Sequence, residues 1–201
     1  MIEQVAPFAL ILLGPPGSGK GTHAIPLSRH LSVPHISTGE LFREHMRRET
    51  AMGKLARSFI DQGKLVPDAL VLDMLFERVQ LPDCTQGYIL DGFPRTLAQA
   101  ESFDERIKNQ TWLTVLNLDI PDALLIERIV ARRGCNNCGR LYNLKFAPPR
   151  NFDRCDECAT TLMHREDDKE EIIAKRLEVY HAQKRYRFND LNMKVLSCKS
   201  C

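Results

Sequence analysis

No apolar run in this sequence approaches the ~20 residues needed to span a bilayer, so a membrane-crossing helix is not expected. Net charge is nearly absent: 28 Lys and Arg against 26 Asp and Glu leave +2. Basic residues do not interleave with aromatic ones. Both deficits argue against a nucleic-acid partner or an acidic membrane surface. The opening MIEQVAPFAL carries an acidic residue early and no basic segment ahead of its apolar one, so no secretory leader is expected. Internal repeats and low-complexity segments are missing too. What remains is an ordinary soluble composition, 43% hydrophobic and 27% charged. Its 201 residues suffice for one sizeable core with small inserted lobes. A cytoplasmic location is the resulting expectation.

One residue type is in excess. Seven cysteines are many for a cytosolic chain, and four of them form Cys135-x-x-Cys138 and Cys155-x-x-Cys158. In a reducing compartment that spacing favours metal over disulfides. CxxC, 16 residues, then CxxC suits tetrahedral Zn²⁺ with four thiolates, each pair forming a tight knuckle. Roughly 25 residues cannot build a core alone, so the metal would substitute for one. A closed four-thiolate set leaves no position for water, which makes the zinc structural rather than catalytic. The alternative is a pair of redox-active dithiols. Cys84 stands alone and reads as structural. Cys198 and Cys201 form a third CxxC with no second pair in reach, which reads as a frayed tail.

Periodicity organises the rest. Phe8–Leu13 (FALILL) is a buried strand that ends at Gly14, and Lys20 to His30 reads as a helix with an expected kink at Pro26. His35–Ser37 is a second short strand. Leu41–Arg48, Gly53–Gln62 and Leu70–Val79 read as helices, and Tyr88–Leu90 and Trp112–Leu118 as strands. Asp122–Arg133 is expected to be one helix, Gly134–Leu162 a small inserted unit, and Asp168–Gln183 helical again. Strands alternating with helices imply an α/β fold, a parallel sheet with helices on both faces.

Gly14-Pro15-Pro16-Gly17-Ser18-Gly19-Lys20-Gly21-Thr22 follows the first strand and opens a helix, the context that a phosphate-binding loop requires. Glycines allow backbone N–H groups to turn inward around phosphate oxygens, and the helix N-terminus adds partial positive charge. Lys20 would supply a full charge to the β- and γ-phosphates. One position departs from the general pattern: Gly21 follows the lysine, and the usual hydroxyl comes one residue later, at Thr22. An ordinary glycine turn would not need the lysine. Asp91 ends an apolar strand, where it could hold the water shell of Mg²⁺ or merely cap a helix. Arg95 lies four residues on, and its planar fork suits phosphate. Arg128 and Arg132 are four apart on one expected helix and would share a face. Arg165 precedes the helix after the insertion and Arg176 lies within it. Phosphoryl transfer needs such charge around the moving group more than it needs covalent help. Arg133, Arg140 and Arg185 read as solvated.

GPPGSGKGT, ISTGE at 36–40, DGFPRT at 91–96 and RLEVYH at 176–181 resemble the nucleoside monophosphate kinases, and within them the adenylate kinases. The resemblance covers roughly residues 8–183. It implies a P-loop NTPase-type parallel five-stranded sheet with two inserted lobes. The core would be 1–36, 67–130 and 169–201, the monophosphate lobe 37–66, and a zinc lid 131–168. It implies ATP + AMP ⇌ 2 ADP in the service of adenine nucleotide balance, with ATP, AMP and ADP as partners, Mg²⁺ alongside ATP, and a monomer. By this likeness Gly17, Ser18, Gly19, Lys20, Gly21, Thr22, Arg128, Arg132, Leu141 and Tyr142 bind ATP. Thr38, Arg43, Lys64, Leu65, Val66, Gly92, Phe93, Pro94, Arg95, Gln99, Arg165 and Arg176 bind AMP. Arg43 and Arg95 would grip the AMP phosphate, Gln99 would read the adenine edge, and Lys20, Asp91, Arg95, Arg128, Arg132, Arg165 and Arg176 would serve catalysis. Cys135, Cys138, Cys155 and Cys158 would hold zinc.

Tyr186 to Cys201 departs from the family pattern. Met193–Leu196 could supply a short fifth strand, but the closing helix is missing, as in a truncated or frameshifted product of reduced activity. Rival readings are a kinase for another monophosphate or one using GTP as donor, a zinc-ribbon nucleic-acid binder, and an inactive nucleotide-binding scaffold.

Overall fold

A computed structural model describes residues 7–107 and 111–184, and residues 194–199 as backbone. Five parallel strands form the main sheet: β1 (Phe8–Leu13), β2 (His35–Ser37), β3 (Gly87–Asp91), β4 (Trp112–Asp119) and, after the short strands introduced below, β8 (Lys194–Lys199). Their order across the sheet is β2-β3-β1-β4-β8. Four of these strands have described side chains; the fifth adds in register on β4, with Thr114 opposite Lys194 and Asp119 opposite Lys199. Most of the expected Met193–Leu196 strand is therefore seen, while Met193 itself and most of the divergent tail lie outside the described residues.

The two-residue period of the strands divides the core between the two faces. Ala9, Ile11 and Leu13 of β1 join Tyr88 and Leu90 of β3 in the largest apolar cluster, packed with α2 (Thr38–Arg47), α4 (Asp68–Val79) and α5 (Leu97–Ile107). The intervening Leu10 and Leu12, with Ile89, point the other way onto Ala24 and Leu27 of α1 (Lys20–Leu31). Parallel strands buried on both faces explain why FALILL and YIL are apolar without alternation. A third cluster joins Leu125 and Ile129 of α6 (Asp122–Val130) to Ile173 and Leu177 of α7 (Glu170–Lys184).

Helix boundaries follow local chemistry. Helix α1 continues through the exposed Pro26 as a single element. Helix α3 (Ala51–Ile60) starts two residues earlier than its periodicity suggested, because Thr50 caps it by accepting a hydrogen bond from Gly53 N at 3.0 Å. Helix α7 begins at Glu170 after a 3-10 turn over Glu166–Asp168.

The clearest correction concerns Asp122–Arg133. Helix α6 ends at Val130, and Arg132 belongs to β5 (Arg132–Cys135) rather than to the helix carrying Arg128. The reason is non-local. Leu144 N–H donates to Ala131 O at 2.8 Å, and Arg132, Arg133 and Gly134 pair antiparallel with Asn143, Tyr142 and Leu141 of β6 (Leu141–Asn143). With β7 (Leu162–Met163) these form a three-stranded sheet in the order β6-β5-β7. The inserted unit thus has regular structure that its sequence did not announce. Among the described residues, no helix is long and apolar enough to cross a membrane.

Candidate active site

Strand β1 has β3 on one side and β4 on the other, so the chain leaves in opposite directions about it and a crevice opens beyond its carboxyl end. The phosphate loop occupies that place. Gly14 has φ 143, and a Cβ there would stand 2.6 Å from Leu118 O and 2.8 Å from Ser18 Oγ, so only glycine fits the first turn. Gly19 leads into α1 with φ 90. Ser18 is buried, whereas Thr22 is exposed on the first turn of the helix.

Lys20 folds back over its own loop. Its Nζ donates to Gly14 O at 3.0 Å, Pro15 O at 2.9 Å and Ser18 Oγ at 3.4 Å. Burial draws its pKa down from 10.5 to about 8; Asp91 opposes that shift, and the nearby Arg95, Arg176 and Arg132 reinforce it. Asp91, buried at the end of β3, faces the same loop: a Cβ on Gly21 would lie 3.4 Å from its Oδ2. Burial alone would raise the Asp91 pKa. The His35 imidazole, 3.5 Å away, outweighs that together with the charges of Lys20 and Arg95, and the carboxylate is held below its ordinary range.

Opposite the loop lies the rest of one cleft of about 1100 Å³, including solvent at its mouth. Gly14, Pro16 and Lys20 line it at the loop, and Thr38, Arg43, Lys64, Leu65, Val66, Gly92, Pro94, Arg95, Gln99 and Arg176 line the remainder. Gly92 O accepts from both Thr38 Oγ1 at 3.0 Å and Arg95 Nε at 2.8 Å. Phe93 behaves differently from its neighbours: its ring is fully buried, edge-on to Phe103 at 5.4 Å between centroids, so it gives the cleft no side chain.

Each arginine around the cleft except Arg128 is gathered by an acid or a carbonyl. Glu40 Oε1 accepts from Arg43 Nη2 and from Arg165 Nη2, each at 2.6 Å, and so joins α2 to the end of the inserted unit. Both cations hold the Glu40 pKa down against its burial. Arg132 forms a two-point pair with Asp168, whose side chain is fully buried. Arg176 Nη1 reaches the same Asp168 at 3.3 Å and Asp167 Oδ2 at 2.9 Å. Desolvation, with Arg43 and Arg132 nearby, lowers the Arg165 pKa to about 10. Arg128 stands apart, half-buried on α6 and outside the cleft lining. Glu40, Asp68, Asp167 and Asp168 are functional neighbours that the sequence pattern does not single out: Glu40 closes ISTGE and Asp167 and Asp168 follow Arg165, while no motif contains Asp68.

The four cysteines of the inserted unit converge. All their sulfurs lie within 4.8 Å of one another, with Cys135–Cys158 and Cys138–Cys155 at 3.4 Å. A tetrahedral ion with metal–sulfur bonds of about 2.3 Å needs sulfur–sulfur edges of roughly 3.8 Å, which this cage fits. Tyr142 packs against the cysteine cage. It is buried, and its hydroxyl lies 3.4 Å from Cys155 Sγ and accepts from Asp156 N–H at 2.8 Å. Leu141 is half-buried beside Gly134, and neither Leu141 nor Tyr142 lines the cleft.

A phosphate loop on this sheet, with its lysine and an end-of-strand aspartate beside a cation-lined cleft, defines the class: a P-loop phosphotransferase acting on nucleotides. The adenylate kinase family model matches residues 12–189. An adenylate kinase of Symbiobacterium thermophilum is 48% identical over 176 residues, covering 87% of this chain and 82% of that protein. Those of Caldicellulosiruptor bescii and Archaeoglobus fulgidus are each 49% identical, over 87% and 85% of this chain and 82% and 80% of theirs. The chain belongs to the adenylate kinase family.

The Lys20 pKa yields a pH prediction. In the folded chain the lysine is charged below about pH 8 and neutral above it, against 10.5 in the unfolded chain. Burial therefore penalises the folded state at low pH, and the penalty is relieved as pH rises from about 8 to 10.5. A triphosphate beside Lys20 restores the charge, so ATP binding at pH 8.5–9 takes up a proton. Calorimetry in buffers of different ionisation enthalpy will show this as a buffer-dependent heat that Lys20→Met abolishes. Equal heats in all buffers would contradict it.

Proposed function

We propose that ATP lies on the phosphate loop, AMP lies opposite it in the same cleft, and the γ-phosphoryl passes directly between them: ATP + AMP ⇌ 2 ADP. One observation carries this reading. Lys20, Arg43, Arg95 and Arg176 line a single cleft together with Gly14 and Pro16 of the phosphate loop and the apolar Leu65 and Val66. Two anionic chains laid end to end need positive charge along their whole length, and apolar side chains in the lining suit a base.

In this reading Lys20 leaves the carbonyls of Gly14 and Pro15 for the β- and γ-phosphates. Arg43 leaves Glu40, and with Arg95 it clamps the AMP phosphate. Arg132, Arg165 and Arg176 surround the transferring group, each aimed by the carboxylate that it already contacts. Positioning and charge then account for catalysis, and no side-chain nucleophile is required. Asp91 is the residue to hold Mg²⁺ through water, and that ion would neutralise phosphate charge during transfer. Gln99 reads the base through its amide. Residues 37–66 and 131–168 act as lobes that close over the pair and exclude water, the competing acceptor.

Steady-state assays with ATP and AMP, CMP, UMP or GMP test this. AMP should be the best acceptor, and Lys20→Ala should lower kcat by about 10²-fold or more. A better acceptor than AMP, or full activity without Lys20, would refute it.

Cys135, Cys138, Cys155 and Cys158 would hold Zn²⁺ as a structural staple. Their cage has no open ligand position, and the unit around it has only a small apolar cluster of Cys135, Tyr142, Cys155 and Leu162. Elemental analysis should find about one zinc per chain, and chelation should lower the melting temperature. Metal-free protein of equal stability would remove this role.

A further inference from the structure

Gln99 is 1% exposed, yet it lines the cleft. Its amide is held on both sides. Arg95 N–H donates to Gln99 Oε1 at 2.7 Å, and Gln99 Nε2 donates to Asp68 Oδ1 at 2.7 Å. These partners fix the orientation of the amide by their chemistry. A backbone N–H can only donate, so it must face the amide oxygen; a carboxylate can only accept, so it must face the NH₂. Asp68 is itself anchored, its Oδ2 accepting from Thr96 Oγ1 at 2.9 Å. A flipped amide would set donor against donor at Arg95 and acceptor against acceptor at Asp68, leaving buried polar groups unpaired.

An amide has two N–H groups and two oxygen lone pairs, and this network takes one of each. One donor and one acceptor remain for a base, and their order is set. We infer that Asp68 is a specificity-determining residue: by denying Gln99 its flip, it selects a 6-amino purine over a 6-oxo purine. Adenine offers an acceptor at N1 and a donor at its 6-amino group. Hypoxanthine and guanine offer the reverse, a donor at N1 and an acceptor at O6. A free glutamine could turn over to meet either pattern, whereas a pinned one meets a single pattern. The inference rests on the proposal that Gln99 reads the acceptor base.

The test compares AMP with inosine monophosphate, which differs in that base edge, at saturating ATP. The unmodified enzyme should prefer AMP in kcat/KM by about 10³-fold or more. Asp68→Asn keeps the shape but can present NH₂ to a turned amide. It should cut that preference at least tenfold, chiefly by raising the KM for AMP, with the KM for ATP within twofold. In a Gln99→Leu background the same Asp68→Asn change should leave the preference unaltered within twofold. A preference that survives Asp68→Asn overturns the inference, as does a loss that persists without Gln99. Should the variant fail to fold, the unmodified enzyme still decides: inosine monophosphate within tenfold of AMP overturns it. Failure of every acceptor, AMP included, would instead overturn the proposed function.

Discussion

Arg132 and Arg176 share the fully buried carboxylate of Asp168, and the arrangement of the cleft depends on that shared ion pair. Six cations, Lys20, Arg43, Arg95, Arg132, Arg165 and Arg176, stand close enough to shift one another's pKa values or share an acid. Two like charges about 6 Å apart repel by roughly 3 kcal/mol at an effective dielectric near 20. Glu40, Asp91, Asp167 and Asp168 offset that repulsion without filling the cleft. The site can therefore be strongly cationic toward nucleotides and still fold without them.

The same carboxylates tie distant parts of the chain together. Glu40 on α2 contacts Arg165 at the end of the inserted unit, and Asp168 just beyond it holds Arg132 at that unit's start. Near the cysteine cage, Arg47 Nη1 donates to Asn136 O at 3.1 Å. The segments that would carry acceptor and donor are thus in contact along one seam. A metal-held knuckle would suit the inserted unit, where few apolar side chains are buried.

What the sequence disclosed was whatever depends on neighbours in the chain. Gly14 and Gly19 need positive φ, Lys20 follows them at fixed spacing, and β1 precedes them as an apolar run, so loop, lysine and strand were legible together. The CxxC pairs were legible for the same reason. Long-range pairing was not. Arg132 looks helical beside Arg128 until Asn143 claims it for a strand. Nothing local marks Asp168, which is fully buried where two arginines converge on it from separate elements. The partners of the Tyr142 hydroxyl, Cys155 and Asp156, lie 13 and 14 residues away and were not legible either. Gln99 could be singled out from its motif, but not its partner Asp68, 31 residues away.

If buried acids hold the cations in place, removing one must cost far more than removing a surface partner. The direct measurement is the unfolding free energy of Asp168→Asn beside Glu127→Gln, which breaks only the exposed pair with Lys145. Loss of about 3–5 kcal/mol for the first and under about 1 kcal/mol for the second is expected. An Asp168→Asn protein as stable as the Glu127→Gln protein would contradict the account.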